Sequence, residues 1–406
     1  MHKQISSFLL LLAVFFSCTT PENKEKPLAQ VINESLEFAT QQSLLMAESL
    51  KDQPDRLPKT INAEGQLETC GSAWWVSGFF PGVLWYLYES NPTDSLKDWA
   101  INYTLRVEDQ KYTTDNHDVG FMIFCSFGNA YRLTGDTAYS EVIHTASNSL
   151  ITRFNPTIGC IRSWDYAPWS AKWQYPVIID NMMNLEMLEW ASKAFSDTVY
   201  SHVAESHANT TLKNHFRDDF SSYHVISYDT ITGQVEKKNT AQGYSDDSAW
   251  ARGQGWGLYG YTMMYRETGN KVYLEQAEGI ADFILNHPNL PEDKIPYWDF
   301  NAPDVPNAKR DASAGALICS ALIELSGYVP AEKSQDYLIV AETQLRSLSS
   351  PAYRAELGAN ANFILKHSVG HMPNGTEVDV PLTYADYYYV EALMRMKKLL
   401  QEEEKQ

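Results

Sequence analysis

Residues 243 to 261 read GYSDDSAWARGQGWGLYGY, placing two aspartates, an arginine, a glutamine, two tryptophans and five glycines in nineteen positions. A core helix avoids such a mixture, because each interior Gly costs about 1 kcal/mol relative to Ala and a buried Asp or Arg needs a partner. Glycines strip side chains from a helix face and admit a second backbone or a flat ligand. Trp250 and Trp256 supply aromatic faces, and Arg252 supplies a fork that matches a carboxylate. Together they suit an acidic sugar. A tightly packed helix pair with a structural ion pair is the competing reading.

Three stretches hold acids where helices begin: Asp115-Asn116-His117-Asp118 before Val119-Gly120-Phe121, Ile179-Asp180-Asn181 behind an apolar run, and, within residues 243 to 261, Ser245-Asp246-Asp247-Ser248. Any Asp at such a place can be an N-cap. Asp180 fits that role less well, since apolar neighbours carry it inward and Asn181 is available to cap. Two carboxylates at one pocket mouth push their pKa values apart, whereas cap hydrogen bonds pull a carboxyl down, and the sequence leaves the balance open. Asp115, His117 and Asp118 also suggest a metal site. No second His/Asp cluster at ligand spacing accompanies them, so no metal or cofactor is expected. A Ser-His-Asp hydrolase is disfavoured, because no nucleophile elbow follows a strand.

Four phrases that echo one another reveal the elements behind these loops. They start at Asn91 (NPTDSLKDWA), Thr134 (TGDTAYSEVI), Phe195 (FSDTVYSHVA) and Thr268 (TGNKVYLEQA). Each is a turn that opens a charged, amphipathic helix, and each follows an apolar helix rich in small residues. Two more hairpins are expected, one from Ala312 through the turn at Gly327-Tyr328-Val329-Pro330 and one from Tyr384 onward. With a leading helix near Leu28 to Leu50, this makes about twelve helices in six hairpins. Helices apolar all round are buried, so six inner and six outer helices form an all-α toroid, an (α/α)6 barrel. An open solenoid would keep a tighter period. Strand-like alternation is scarce; Tyr223 to Tyr228 is the one candidate. In a toroid the loops entering the inner helices converge at one end, which is where a pocket forms.

The chain has 406 residues and a net charge of −19, which argues against nucleic acid as a partner and against long-range attraction of an anion. An acidic ligand must therefore be held by local donors such as Arg252. At the N-terminus, His2 and Lys3 precede an apolar run from Ile5 to Phe16, too short to span a bilayer, that ends in Phe16-Ser17-Cys18. This resembles a bacterial lipoprotein signal over residues 1–17, with Cys18 lipidated and a polar tether to residue 27. An ordinary signal peptide with a chance cysteine is the alternative. The expected location is the cell envelope, with the membrane touched only through the lipid, and residues 28–406 form one catalytic domain. Cys70, Cys125, Cys160 and Cys319 fit no metal spacing and read as free thiols.

The phrases WWVSGFFPGVLW at Trp74, DNHDVGFM at Asp115, VIIDNMMNLEMLEWAS at Val177, SAWARGQGWGLYG at Ser248 and ADYYYVEALMR at Ala385 together resemble the unsaturated glucuronyl hydrolases, glycoside hydrolase family 88. The resemblance spans nearly the whole chain after the tether. It implies an (α/α)6 barrel, no metal, and removal of a 4,5-unsaturated uronic acid from acidic oligosaccharides made by polysaccharide lyases. It implies Asp180 as general acid/base and Asp118 as second essential carboxylate, orienting the sugar and keeping Asp180 protonated. It also implies substrate contacts from Trp75, Arg252 and Trp256, and more loosely from His224 and Gln242. Thr383-Tyr384-Ala385-Asp386 departs from the family, where Gly commonly precedes the Asp. Competing readings are an unsaturated rhamnogalacturonyl hydrolase of the same fold, a non-catalytic glycan-binding lipoprotein, and a sugar epimerase.

Overall fold

The structure, a computed structural model, describes residues 25–403. Residues 1–17 and Cys18 lie outside them. Among the described residues, no helix is long and apolar enough to cross a membrane.

The helices follow the repeat. They are α1 (Leu28–Ser49), α2 (Phe79–Ser90), α3 (Asp94–Leu105), α4 (Asn129–Thr134), α5 (Thr137–Ile151), α6 (Leu185–Phe195), α7 (Thr198–His215), α8 (Ala251–Thr268), α9 (Lys271–Asn286), α10 (Ala312–Ser326), α11 (Ala331–Ser349) and α12 (Thr383–Glu403). Even-numbered helices form the inner ring, α2 through α12 and back to α2. Odd-numbered helices pack outside them. The echoing turns share one cap: Thr93, Asp136, Asp197 and Asn270 each accept a backbone N–H of the outer helix they open. One expectation needs correction. No second helix follows Tyr384 among the described residues. The last inner helix, α12, packs instead on the first helix of the chain, α1, which closes the ring by joining its two ends.

Two inner helices open irregularly where the barrel narrows toward its mouth. Gly120–Gly128 is wound wider than an α-helix before it becomes α4, and Ile179–Asn184 is wound tighter before α6. A Cβ on Gly120 would stand 2.8 Å from the Asn184 Cα, so only Gly allows this approach. The glycines of α8 serve the same end. A Cβ at Gly260 would stand 2.5 Å from Met182 Cβ, and one at Gly255 would stand 2.7 Å from Leu317. Close helix packing, rather than a ligand, explains them.

Small antiparallel sheets decorate the mouth: β1 (Leu57–Ile61) with β2 (Leu67–Cys70), β3 (Phe154–Asn155) with β4 (Cys160–Ile161), β5 (Pro176–Ile178) with β6 (Val225–Tyr228) and β7 (Val235–Asn239), and β8 (Ser368–His371) with β9 (Thr376–Val380). The candidate strand at Tyr223 to Tyr228 is present as β6. The other strands are two to five residues long, too short to give a readable alternation. All four remaining cysteines are free: three are buried and Cys125 is half-buried.

Candidate active site

Asp118 and Asp180 meet in a cavity of about 280 Å³ at the barrel mouth, with Trp75, Gln242 and Arg252 in the same wall. The strands and irregular helix starts position them. Strand β5 runs through Ile178, hydrogen-bonded along β6, and delivers Asp180 at the first tight turn before α6. The His117 N–H donates to the Ser163 carbonyl, which anchors the DNHD loop beside it.

Neither acid is an N-cap. Asp180 makes no side-chain cap hydrogen bond, and its Oδ2 is buried with no hydrogen-bond partner. Asn181 does not cap either; its Nδ2 donates to the Ile161 carbonyl at 3.0 Å. His224 Nε2 lies 3.6 Å from Asp180 Oδ2. His224 Nδ1 accepts two backbone N–H groups, from Ala241 at 3.1 Å and Gln242 at 3.2 Å. Since Nδ1 is an acceptor, neutral His224 carries its proton on Nε2, facing Asp180. Trp250 packs beneath it, ring centroids 4.5 Å apart.

Asp118 Oδ1 lies 3.4 Å from His117 Nε2. Burial, reinforced by the negative charge of Asp180, pushes the Asp118 carboxyl up to about 8. Burial pushes His117 down to about 4, so it is neutral beside its acid. The like-charge proximity of the two acids acts together with burial to raise the Asp118 carboxyl.

Arg252 is more committed than its sequence suggests. Its guanidinium is buried, donating to Asp311 Oδ2 at 3.2 Å and to the carbonyls of Val369 and Gly370. Asp311 also caps α10 through Ser313. Of five guanidinium N–H bonds, two are left without a protein acceptor, enough for one carboxylate. Gln242 donates to the Gly370 carbonyl at 3.0 Å. Trp75 is braced by Tyr384 at 4.9 Å and Phe121 at 5.6 Å. Trp256 does not reach the cavity. It lies four residues after Arg252, about 6 Å further along the helix axis, and is fully buried against Phe121 and Tyr388. A substrate contact for Trp256 is therefore replaced by a core role.

The sequence did not point to Trp164 and Trp169, which form one aromatic wall, or to His371 and Asn374, which close the opposite side. Trp164, Trp169 and Asn374 sit in connections between strands and His371 ends β8, where no helical period marks them. Among the described residues no three His, Cys, Asp or Glu side chains converge as a metal site.

A helical toroid with one buried and one half-buried carboxylate in an aromatic cavity fits a carbohydrate-active enzyme. No protein-family model matches the chain, but its relatives are specific. It is 48% identical to the unsaturated glucuronyl hydrolase of Formosa agariphila over 327 residues, 80% of each chain. It superposes at a TM-score of 0.88, with 48% identity, on a crystal structure of an unsaturated glucuronyl hydrolase specific for heparin, covering 92% of this chain and 98% of that one. A mutant of the Streptococcus agalactiae unsaturated glucuronyl hydrolase, solved with dGlcA-GalNAc6S, matches at 0.78 and 30% identity over 93% and 95% of the two chains. The chain belongs to the unsaturated glucuronyl hydrolase family.

Proposed function

We propose that this protein releases a 4,5-unsaturated uronic acid from the non-reducing end of glycosaminoglycan-derived oligosaccharides by hydrating the C4=C5 bond. The observation that carries this reading is the Asp118/Asp180 pair in one aromatic cavity, with Asp118 raised by burial and Asp180 free of protein hydrogen bonds at Oδ2. The substrate alkene is a vinyl ether. Protonation at C4 leaves an oxocarbenium-like centre at C5. Water adds there and returns its proton to the carboxylate. The C5 hemiketal then opens to a ketone, and the hemiacetal left at C1 expels the sugar alcohol. The net reaction consumes one water. No nucleophilic carboxylate is required, so the carboxylate-separation rule of ordinary glycosidases does not apply.

In this reading Asp180 is the acid/base, with the His224 Nε2–H steadying its anion. Arg252 binds the uronate carboxylate, and Trp75 offers a face to the sugar. The raised pKa of Asp118 favours a second assignment, in which Asp118 delivers the proton and Asp180 takes one from water. The two assignments separate in the pH profiles of their Asn variants.

The decisive assay follows loss of alkene absorbance on heparin, chondroitin, hyaluronan and pectin lyase products. Turnover of a saturated terminal uronate would reject the hydration chemistry. Preference for an unsaturated rhamnogalacturonyl disaccharide would move the protein to the neighbouring activity. Chelators should leave the rate unchanged. For location, the Phe16-Ser17-Cys18 junction supports a lipid anchor in the cell envelope. Cys18→Ala should free the protein from the membrane fraction with its activity intact, and continued membrane association would reject the anchor.

A further inference from the structure

Toward the closed end of the barrel, away from the mouth, lies a second space that no step of the hydration chemistry uses. It is a chamber of about 370 Å³ among the inner helices, walled by Tyr86, Phe124, Tyr131, Trp190, Tyr259 and Tyr387. It shares no lining residue with the catalytic cavity. Protein interiors are normally close-packed, and elsewhere in the inner ring Trp256 and Tyr388 are fully buried. Here Tyr86, Phe124, Tyr131 and Trp190 are only half-buried, although they too stand on the inner ring. Tyr131 and Trp190 meet edge to face, ring centroids 5.2 Å apart.

The chamber leads into a vestibule of about 430 Å³, and the two share Tyr86, Arg132, Glu391 and Arg395. Charge is sorted between them. In the chamber, Glu186 and Glu391 balance Arg132 and Arg395. In the vestibule, Arg132, Arg395, Lys397 and Lys398 face only Glu89 and Glu391, a local positive excess in a chain whose net charge is −19. Arg132 is committed to Glu89 by hydrogen bonds of 2.8 and 2.7 Å, and Arg395 to Glu324 at 2.7 Å. The excess therefore sits on the lysines. Lys397 donates to the neutral Ser90 hydroxyl at 3.2 Å. Lys398 is exposed, and neither lysine forms an ion pair among the described residues. They follow Arg395 on α12 by two and three residues, about 3 to 5 Å along the helix axis.

We propose that this end of the barrel binds a small aromatic acid, with its ring in the chamber and its carboxylate at Lys397 and Lys398, as a site separate from catalysis. A flat ring packs against the Tyr131 and Trp190 walls, and the anion meets cations that no carboxylate neutralises. A cationic ligand would meet the positive excess. A sugar would find few free partners in the chamber. Glu391 already accepts from Tyr86, Tyr259 and Ser320, and Asn129 is engaged by Arg132 and Tyr387.

The test titrates the whole protein with 2-naphthoate by calorimetry at low salt, using 2-naphthylmethanol as the uncharged counterpart. The wild type should bind one naphthoate per chain, more tightly than the alcohol. Lys397→Ala/Lys398→Ala should raise the naphthoate Kd about three- to tenfold, and added salt should weaken it in the same direction. That variant should hydrate substrate at the wild-type rate. Trp190→Ala should weaken both probes, with its thermal unfolding recorded alongside; the lysine variant carries the test if Trp190→Ala unfolds. Asp180→Asn saturated with an unsaturated disaccharide should still bind naphthoate unchanged. Absence of naphthoate binding to the wild type overturns the site, and its loss on disaccharide saturation assigns the binding to the catalytic cavity and also overturns it. Equal affinity for the alcohol, or an unchanged Kd in the lysine variant, overturns the choice of an acid.

Discussion

The two ends of the barrel bury acids in opposite ways. At the closed end, Glu391 and Glu324 are held by partners, whereas Glu189 on α6, also buried, has no hydrogen-bond partner for its Oε1. Glu391 on α12 accepts from Tyr86 at 2.8 Å, Tyr259 at 3.0 Å and Ser320 at 2.5 Å. Glu324 bridges Arg266 and Arg395, both at 2.7 Å, and Arg266 reaches on to Glu186. These residues come from α2, α6, α8, α10 and α12, so the network ties five inner helices together. At the mouth, Asp180 Oδ2 is buried with no hydrogen-bond partner, and Asp118 faces a neutral His117. Burial is common to both ends. Donors from neighbouring helices hold Glu391 and Glu324 in structural contacts, while burial raises the carboxyls of Asp118, to about 8, and Glu189, to about 7.

The largest expected effect is at the mouth. Asp180→Asn should lower turnover by about 10²- to 10⁴-fold or more, with affinity kept within about tenfold. Asp118→Asn should also lose most activity, with a larger binding defect. Normal turnover in Asp180→Asn would erase the distinction between the ends, since Asn merely preserves shape.

At the closed end the consequence should be stability, not rate. Glu324→Gln leaves Arg266 and Arg395 short of a carboxylate and should cost about 3 kcal/mol. Denaturant unfolding would measure this, while kcat below the transition should change less than twofold. A rate defect without a stability loss would show that the closed end is coupled to catalysis.

A pH experiment sharpens the contrast. Asp118 is raised from its ordinary 3.8 to about 8. A carboxyl raised on folding supports the fold while both states are protonated, and its support drains away as pH rises from about 4 through 8. Activity should therefore fall as pH passes about 8. Asp118→Asn should abolish that limb and make the protein more stable than wild type at pH 9, by about 1 kcal/mol or more. If the limb survives in Asp118→Asn, the titrating group lies elsewhere.

The smallest effect concerns histidines beneath the mouth. Burial pushes His207 and His215 down to about 3. Histidines lowered on folding withdraw stability as pH falls below about 6.5, when the unfolded chain takes up protons that the fold refuses. At pH 5 each contributes a loss of up to about 2 kcal/mol. His207 Nδ1 accepts the Ile161 N–H at 3.0 Å, so His207→Gln should flatten the acid limb of unfolding while lowering stability slightly at pH 7. An unchanged acid limb would assign the loss to other groups.

How much was legible can be judged from particular residues. The toroid was readable because its signals are local. A cap such as Asp136 acts on the N–H two residues on, and the apolar inner helices follow a period set by their own backbone. Asp118 and Asp180 were readable as candidates from their place at helix starts, but only the structure shows that neither serves as a cap. Trp256 misled because four residues keep a side chain on the same helix face but move it a turn deeper, and depth is not written in a helical period. Arg252 was recognised, but its partners Asp311, Val369 and Gly370 lie 59, 117 and 118 residues away. No spacing rule reaches them. The cleft beside Trp75 was invisible for the same reason, since β1 and β9 bring Lys59 and Glu377 together across most of the chain.

The sequence by itself thus determined most of the helices, their caps and the residue types available for acid–base chemistry, because these rest on contacts within about four residues, whereas the ring closes through α12 on α1. The tertiary structure alone decided which acid keeps its proton, how much of Arg252 is left for a ligand, and which aromatic rings face sugar rather than core. Each of those depends on desolvation and pairing, and both are set by residues that only the closed ring brings near.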